Sequence, residues 1–196
     1  DQLLKYYPST DTWERVLDGY LKTTKHDHAL MALYRLAEDV GALQNARQYT
    51  DMTQALIIAG FGQEAERVMQ KGIDASLFAG DEATRATRTI DAAKRKADAE
   101  RAALPKAAGA LAAAKTGDEM EKVGELYFSA GDYVNASAAL QKAIAKGGLS
   151  DADSAQMLLG IALKRKGDKA NATKAFDLVK EPQFAEIAKL WKIAAR

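Results

Sequence analysis

The sequence predicts an all-α fold, a stack of about five helical hairpins closed by a C-terminal capping helix. Two observations carry this. The segment from Gly124 to Ala136 aligns without a gap on the segment from Gly160 to Ala172, pairing Gly124 with Gly160, Gly131 with Gly167 and Ala136 with Ala172. The offset is 36 residues, from 131 to 167, the length of two helices and two turns and within the range of solenoid repeats. The three prolines stand outside the strongly periodic segments, and alanine, leucine, lysine and glutamate fill the intervals between glycines, which is the composition of helices.

The elements follow in order. The first hairpin is expected over 11–39, with Trp13, Val16 and Tyr20 on the inner stripe of its first helix and Ala29 as the small packing residue of its second. Between them His26-Asp27-His28 reads as a turn with Asp27 as N-cap; two histidines two apart lack the further ligands of a metal site. A second hairpin, over 43–76, carries Leu56, Gly60 and Ala65, with Ala65 36 residues after Ala29. From Ala65 to Ala136 is 71 residues, almost two periods, so a degenerate hairpin is expected over 81–115. Its first helix, rich in alanine and alternating charge, runs from Glu82 to Leu104, and Pro105 starts its second, since proline suits a first helical turn. Lys94-Arg95-Lys96 lies among Asp91, Asp98, Glu100 and Arg101 and reads as a solvated helix face.

The aligned copies form the hairpins over 118–147 and 151–180. Gly131 and Gly167 end one amphipathic run and precede another, so each is expected to supply the positive-φ residue that reverses the chain. Gly124 and Gly160 lie inside helices, where glycine costs about 1 kcal/mol against alanine; close helix approach is their expected return. Tyr127, Tyr133, Leu140 and Ala143, then Leu159, Leu163, Phe176 and Val179, are the expected core. Asn135-Ala136-Ser137 and Asn171-Ala172-Thr173 match the N-glycosylation pattern but sit beside the packing alanines and read as echoes of the repeat. The capping helix, over 183–195, presents Phe184, Ile187, Leu190 and Trp191 on one side.

Composition narrows the function. The 28 basic and 27 acidic residues nearly cancel, so no overall field draws the protein to nucleic acid or to an anionic membrane, and no nucleic-acid partner is expected. Cysteine is absent, which removes disulfides, thiolate nucleophiles and cysteine metal sites. The longest apolar stretches, Ala55 to Ala59 and Ala110 to Ala114, fall far short of the roughly 20 residues of a membrane span. Gly60-Phe61-Gly62 lacks the continuation of a phosphate loop, and no Ser, His and Asp arrangement stands out, so neither a cofactor nor a catalytic site is expected. The chain opens Asp1-Gln2-Leu3-Leu4-Lys5, without methionine or a signal-like apolar run, as expected of a processed chain or a piece of a longer one.

The motif Gly-x-x-Tyr-x-x-x-Gly-x-Tyr-x-x-Ala, at Gly124, Tyr127, Gly131, Tyr133 and Ala136, resembles the tetratricopeptide repeat. The next copy keeps Leu159, Gly160, Gly167, Ala172 and Phe176 but has Leu163 and Lys169 where that family often has aromatics. Weaker copies carry Trp13, Tyr20 and Ala29, and Leu56, Gly60 and Ala65, with Thr53 where a smaller residue is expected. The resemblance spans about 11–195 and is to bacterial members, some of them exported, so cytoplasm and periplasm both stay open. It implies a right-handed α-solenoid whose concave groove holds a partner protein or peptide. Carried over by position, the groove residues would be Glu14, Asp18, Thr50, Gln54, Asp118, Glu121, Glu125, Met157, Ile161, Lys164 and Arg165. The set is acidic and lacks the lysine and asparagine clamp with which the family grips a terminal carboxylate, so a basic or mixed segment is the expected partner; the alternative is an ordinary solvated face. Other functional classes are a helical-repeat RNA reader and a docking or regulatory region of a larger enzyme. Self-association through the stack ends or through Leu3, Leu4, Tyr6 and Tyr7 is a further expectation.

Overall fold

The computed structural model describes residues 4 and 6–195, and their regular structure is entirely helical. In chain order the helices are α1 (Thr10–Thr23), α2 (Asp27–Asp39), α3 (Ala46–Ala59), α4 (Gly62–Asp74), α5 (Asp81–Ala103), α6 (Ala107–Ala113), α7 (Gly117–Ser129), α8 (Tyr133–Lys146), α9 (Ala152–Arg165), α10 (Lys169–Asp177) and α11 (Pro182–Ala194). Side chains that accept from orphan amides start most of them: Ser9, Asn45, Asp132, Asp151 and Asp168, with a full capping box between Thr116 and Glu119. At α2 the cap is His26, whose ring nitrogen accepts from the Ala29 amide at 3.5 Å. Asp27, expected as the cap, is instead the first helical residue, where its charge favours the positive end of the helix.

Gly131 (φ +81°) and Gly167 (φ +92°) take the left-handed backbone that turns α7 into α8 and α9 into α10. The helical glycines set the spacing inside those pairs. A Cβ at Gly124 would stand 2.8 Å from Leu140 Cγ, and one at Gly160 would clash with the edge of the Phe176 ring. The expected hairpin over 81–115 is not a hairpin. From Ala103 to Ala107 the backbone stays right-handed helical or close to it, with Leu104–Lys106 a 3₁₀ turn, so Pro105 bends the chain without reversing it. Accordingly α5 packs along α4 and α3, while α6 packs on α7.

The hairpins pack on their neighbours in sequence, and the first also meets the last: α2 packs on α9 and on α11. An open stack of repeats touches only neighbours. Trp191 of α11 is fully buried, stacks on Phe176 at 5.9 Å between ring centroids and donates its indole N–H to the Ala32 carbonyl of α2 at 3.1 Å. Phe184 of α11 meets the His26 ring edge-on at 5.1 Å. In α2 the consecutive residues Met31, Ala32 and Leu33 are all buried, as are Leu36 and Ala37, so the helix is enclosed on more than one face. Of the terminal segment offered for self-association, Leu4 is buried, Tyr6 and Tyr7 are exposed, and Leu3 lies outside the described residues.

Because α11 seals the first hairpin to the last, Trp191→Ala should cost about 3–5 kcal/mol for the whole fold. Urea denaturation followed by Trp13 fluorescence and by far-ultraviolet circular dichroism should show one coincident transition at lower denaturant. A separate early loss of α11 with α1 and α2 intact would contradict the closure.

Candidate functional site

Three features of the molecule could serve as a site: a charged junction inside the closure, an acidic cluster on α7, and an open surface along α3. The junction forms where α2, α4, α7 and α9 converge. Arg35 of α2 (3% exposed) grips Glu64 of α4 (2% exposed) through Nε at 3.1 and 3.2 Å and through a terminal nitrogen at 2.7 Å. The Arg35 guanidinium lies over the rings of Phe61 and Phe128, 4.4 and 4.7 Å from their centroids. Arg165 of α9 reaches Glu64 at 3.3 Å, Glu38 at 3.1 Å and the Tyr133 hydroxyl at 3.1 Å, and Lys164 pairs with Asp39. Burial pushes the Glu64 carboxyl up, but Arg35, with Arg165 and Arg67 behind it, outweighs that and holds it below its ordinary value. A second carboxylate anchors the neighbouring turn: Glu100 of α5 accepts from the amides of Gly62 and Gln63 at 2.7 and 2.9 Å and from the Ser129 hydroxyl at 2.7 Å. A cavity of about 410 Å³ opens beside the junction, lined by Glu38, Asp39, Arg67, Lys71, Lys164 and Arg165 among others. Its cations already hold carboxylates or, for Arg67, the Ser129 carbonyl at 2.7 Å, so it reads as the outer side of the closure rather than as a vacant ion site.

On α7, Asp118 accepts from the Ser150 hydroxyl and amide at 2.6 and 2.8 Å, which holds its carboxyl below the usual range. Glu121 and Glu125 are half-buried. Burial, then Glu125, Asp118 and Asp151, push Glu121 up to about 7; burial also raises Glu125 despite Arg35, His28 and Lys122. Among the described residues no three His, Asp or Glu side chains are placed to hold a metal ion, and no helix is long and apolar enough to cross a membrane.

Along α3 the surface is open on both flanks. Between α2 and α3 lies a groove of about 500 Å³ lined by Asp27, His28, Leu30, Met31, Asp51, Gln54, Ala55, Ile58 and Ala59. Between α3 and α5 lies one of about 480 Å³, with Arg47, Thr50, Glu82, Arg85 and Arg88 in its walls and Asp51 and Gln54 shared with the first. Ile58 is 86% exposed, the most exposed of the large apolar side chains among the described residues.

The sequence-derived groove residues do not come together as one surface. Glu14 is half-buried on α1 and Asp18 is exposed there, paired with Lys22 at 2.6 Å. Thr50 and Gln54 lie on the open face of α3, and Asp118, Glu121 and Glu125 form the acidic cluster. Met157 and Ile161 are 2% and 1% exposed, packed where α2 covers α9, and Lys164 and Arg165 are spent on Asp39, Glu38 and Glu64. Met157 and Ile161 are thus interior, because α2 of the same chain occupies the face they present, while Lys164 and Arg165 are half-buried at the outer side of the closure. Sequence reasoning missed Ile58, although a signal existed: five consecutive apolar residues, 55–59, cannot all face one side of a helix.

Comparison with family models, with curated proteins and with solved structures finds no match for this chain.

The Glu64 carboxyl, held below its ordinary value of 4.5, contributes stability that is full above that pH and is lost as pH falls through its folded value. Arg35→Leu removes the closest cation of that carboxylate, leaving Arg165 at 3.3 Å, and should cost about 3 kcal/mol at pH 7. The difference from wild type, read from urea midpoints, should shrink below pH 4.5, where the weakened carboxylate takes a proton. An equal difference at both pH values would exclude the charge as its cause.

Proposed function

We propose that this chain is a protein-interaction module of the tetratricopeptide type that holds an amphipathic segment of a partner protein in the groove between α2 and α3. The observation that carries the reading is Ile58: a large apolar side chain 86% in solvent, beside a groove floored by Leu30, Met31, Ala55 and Ala59. Asp27 stands in the same wall, with Asp51, paired with Arg47 at 3.5 Å, nearby, so the segment that fits has an apolar face flanked by lysine or arginine. The repeat reading is supported by the paired turns at Gly131 and Gly167 and the paired close approaches at Gly124 and Gly160, which recur at the 36-residue offset of the sequence. On this reading the superhelical groove survives as a binding face on the α3 side, and α2 fills its continuation over α7 and α9. The role is recognition, not catalysis. Its partner is a protein or peptide.

The test uses two synthetic helical peptides, leucine along one face with lysine along the other, and the same with glutamate. The lysine peptide should bind and shift the amide resonances of residues 27–31 and 51–59. Ile58→Ser should leave stability within about 0.5 kcal/mol of wild type and weaken that binding at least about tenfold, about 1.4 kcal/mol. Equal binding of the two peptides, or resonance shifts confined to another face, would refute the groove assignment.

A further inference from the structure

The groove between α3 and α5 is walled by arginine: Arg47 lines it from α3, and Arg85 and Arg88 line it from α5. Arg85 and Arg88 are three residues apart and so neighbours on their helix. Among the described residues neither guanidinium holds a carboxylate or a carbonyl, whereas Arg35, Arg67, Arg101 and Arg165 are all engaged. Arg47 pairs with Asp51 at 3.5 Å, but its side chain is 87% exposed, so a ligand carboxylate can replace that partner at little cost. The threonines of the same walls have no proton to give, since Thr50 donates to the Ala46 carbonyl and Thr89 to the Arg85 carbonyl, each at 2.9 Å. The guanidinium groups are therefore the charged donors of the groove. Its walls are fixed by core packing: Ala86 and Ile90, which alternate with the arginines along α5, are buried with Met69 of α4.

We propose that the α3–α5 groove binds an acidic stretch of a polypeptide, its side-chain carboxylates seated between Arg47 on one wall and Arg85 and Arg88 on the other. A guanidinium meets a carboxylate with two parallel N–H donors, and three of them along one trough receive carboxylates spaced along a chain. The acidic residues in the walls select the class of ligand. Nucleic acid carries a charge on every phosphate and meets Asp51 and Glu82 as like charges, whereas a polypeptide sets neutral residues or backbone amides against them. The near balance of 28 basic and 27 acidic residues points the same way, because no overall field gathers a polyanion. Recognition is of carboxylates within a chain and needs no free terminus. Asp51 and Gln54 belong to this groove and to the α2–α3 groove alike, so one segment can run through both, its acidic part toward α5 and its apolar part toward α2. That continuity rests on the proposed function, whereas the acidic site does not.

The probe is an acetylated and amidated peptide in which glutamate alternates with serine, compared with its glutamine counterpart; neither has an apolar face for the α2–α3 groove. The glutamate peptide should shift the amide resonances of residues 46–50 and 82–89, and the glutamine peptide should bind at least about tenfold more weakly. Arg85→Ala with Arg88→Ala should weaken the glutamate peptide at least about tenfold. Lys94→Ala with Arg95→Ala, which removes the same charge from the same helix outside the groove, should change it less than about twofold. All four positions are exposed, so alanine leaves the fold in place. Equal binding of the two peptides, a footprint away from α3 and α5, an equal loss in the two double variants, or displacement of the peptide by a single-stranded oligonucleotide at matching concentration would each overturn the site. A leucine and lysine peptide that fails to shift residues 27–31 and 51–59 would refute the α2–α3 groove and leave this result untouched.

Discussion

A buried arginine holding a buried glutamate fixes how this chain closes. Arg35 and Glu64 are 29 residues apart in sequence and almost wholly removed from water, where burying one charge without the other would be costly. Their pairing obliges α2 to lie against α4. Arg165, reaching the same Glu64 from α9, extends the obligation to the C-terminal half. The rings of Phe61 and Phe128, set edge-to-face to each other, both lie against the Arg35 guanidinium and shield it from water. Buried ion pairs are weak contributors to net stability, but they discriminate strongly among arrangements, since any alternative register leaves a charge stranded. Specification of one closure over other packings of similar helices is the role this pair fills.

The closure decides which surfaces remain for a partner. A stack of hairpins whose first helices share a face exposes that face along its length. Here α2 covers it over α9, turning Met157 and Ile161 into core and Lys164 and Arg165 into ties to Asp39 and Glu38. What stays open lies around α3, where Ile58 stands in solvent beside a groove with two aspartates in its wall, and a second groove with three arginines lies toward α5. Of the acidic cluster on α7, which the sequence offers as a partner surface, Asp118 is tied to Ser150 in the turn before α9, and Glu121 and Glu125 are half-buried.

Local features of the fold were legible in the sequence because each has a local cause. Gly131 and Gly167 mark chain reversals since only glycine takes that backbone cheaply, and Gly124 and Gly160 mark tight crossings since a helix otherwise disfavours them. Trp191 was readable as a sealing residue, though not what it would seal. Pro105 misled, because proline fits the first turn of a new helix and a bend within a continuing one equally well, and only the backbone after Ala103 separates the two. The meeting of α2 with α9 and α11 leaves no trace in periodicity: Arg35 and Glu64 look like ordinary charges on amphipathic helices, and a contact across more than one hundred residues has no spacing rule. Without that contact in view, Met157 and Ile161 read as groove-facing, whereas α2 buries them.

The contact of α2 with α9 is tested most directly by a double-mutant cycle on Asp39 and Lys164, an ion pair that joins helices 125 residues apart. Urea denaturation of Asp39→Asn, Lys164→Met and the double variant gives the coupling energy. The closed arrangement predicts a favourable coupling of about 0.5–3 kcal/mol, the double variant losing less than the two single losses combined. Strictly additive losses would mean that the two residues do not meet, and that the first hairpin does not close on the last.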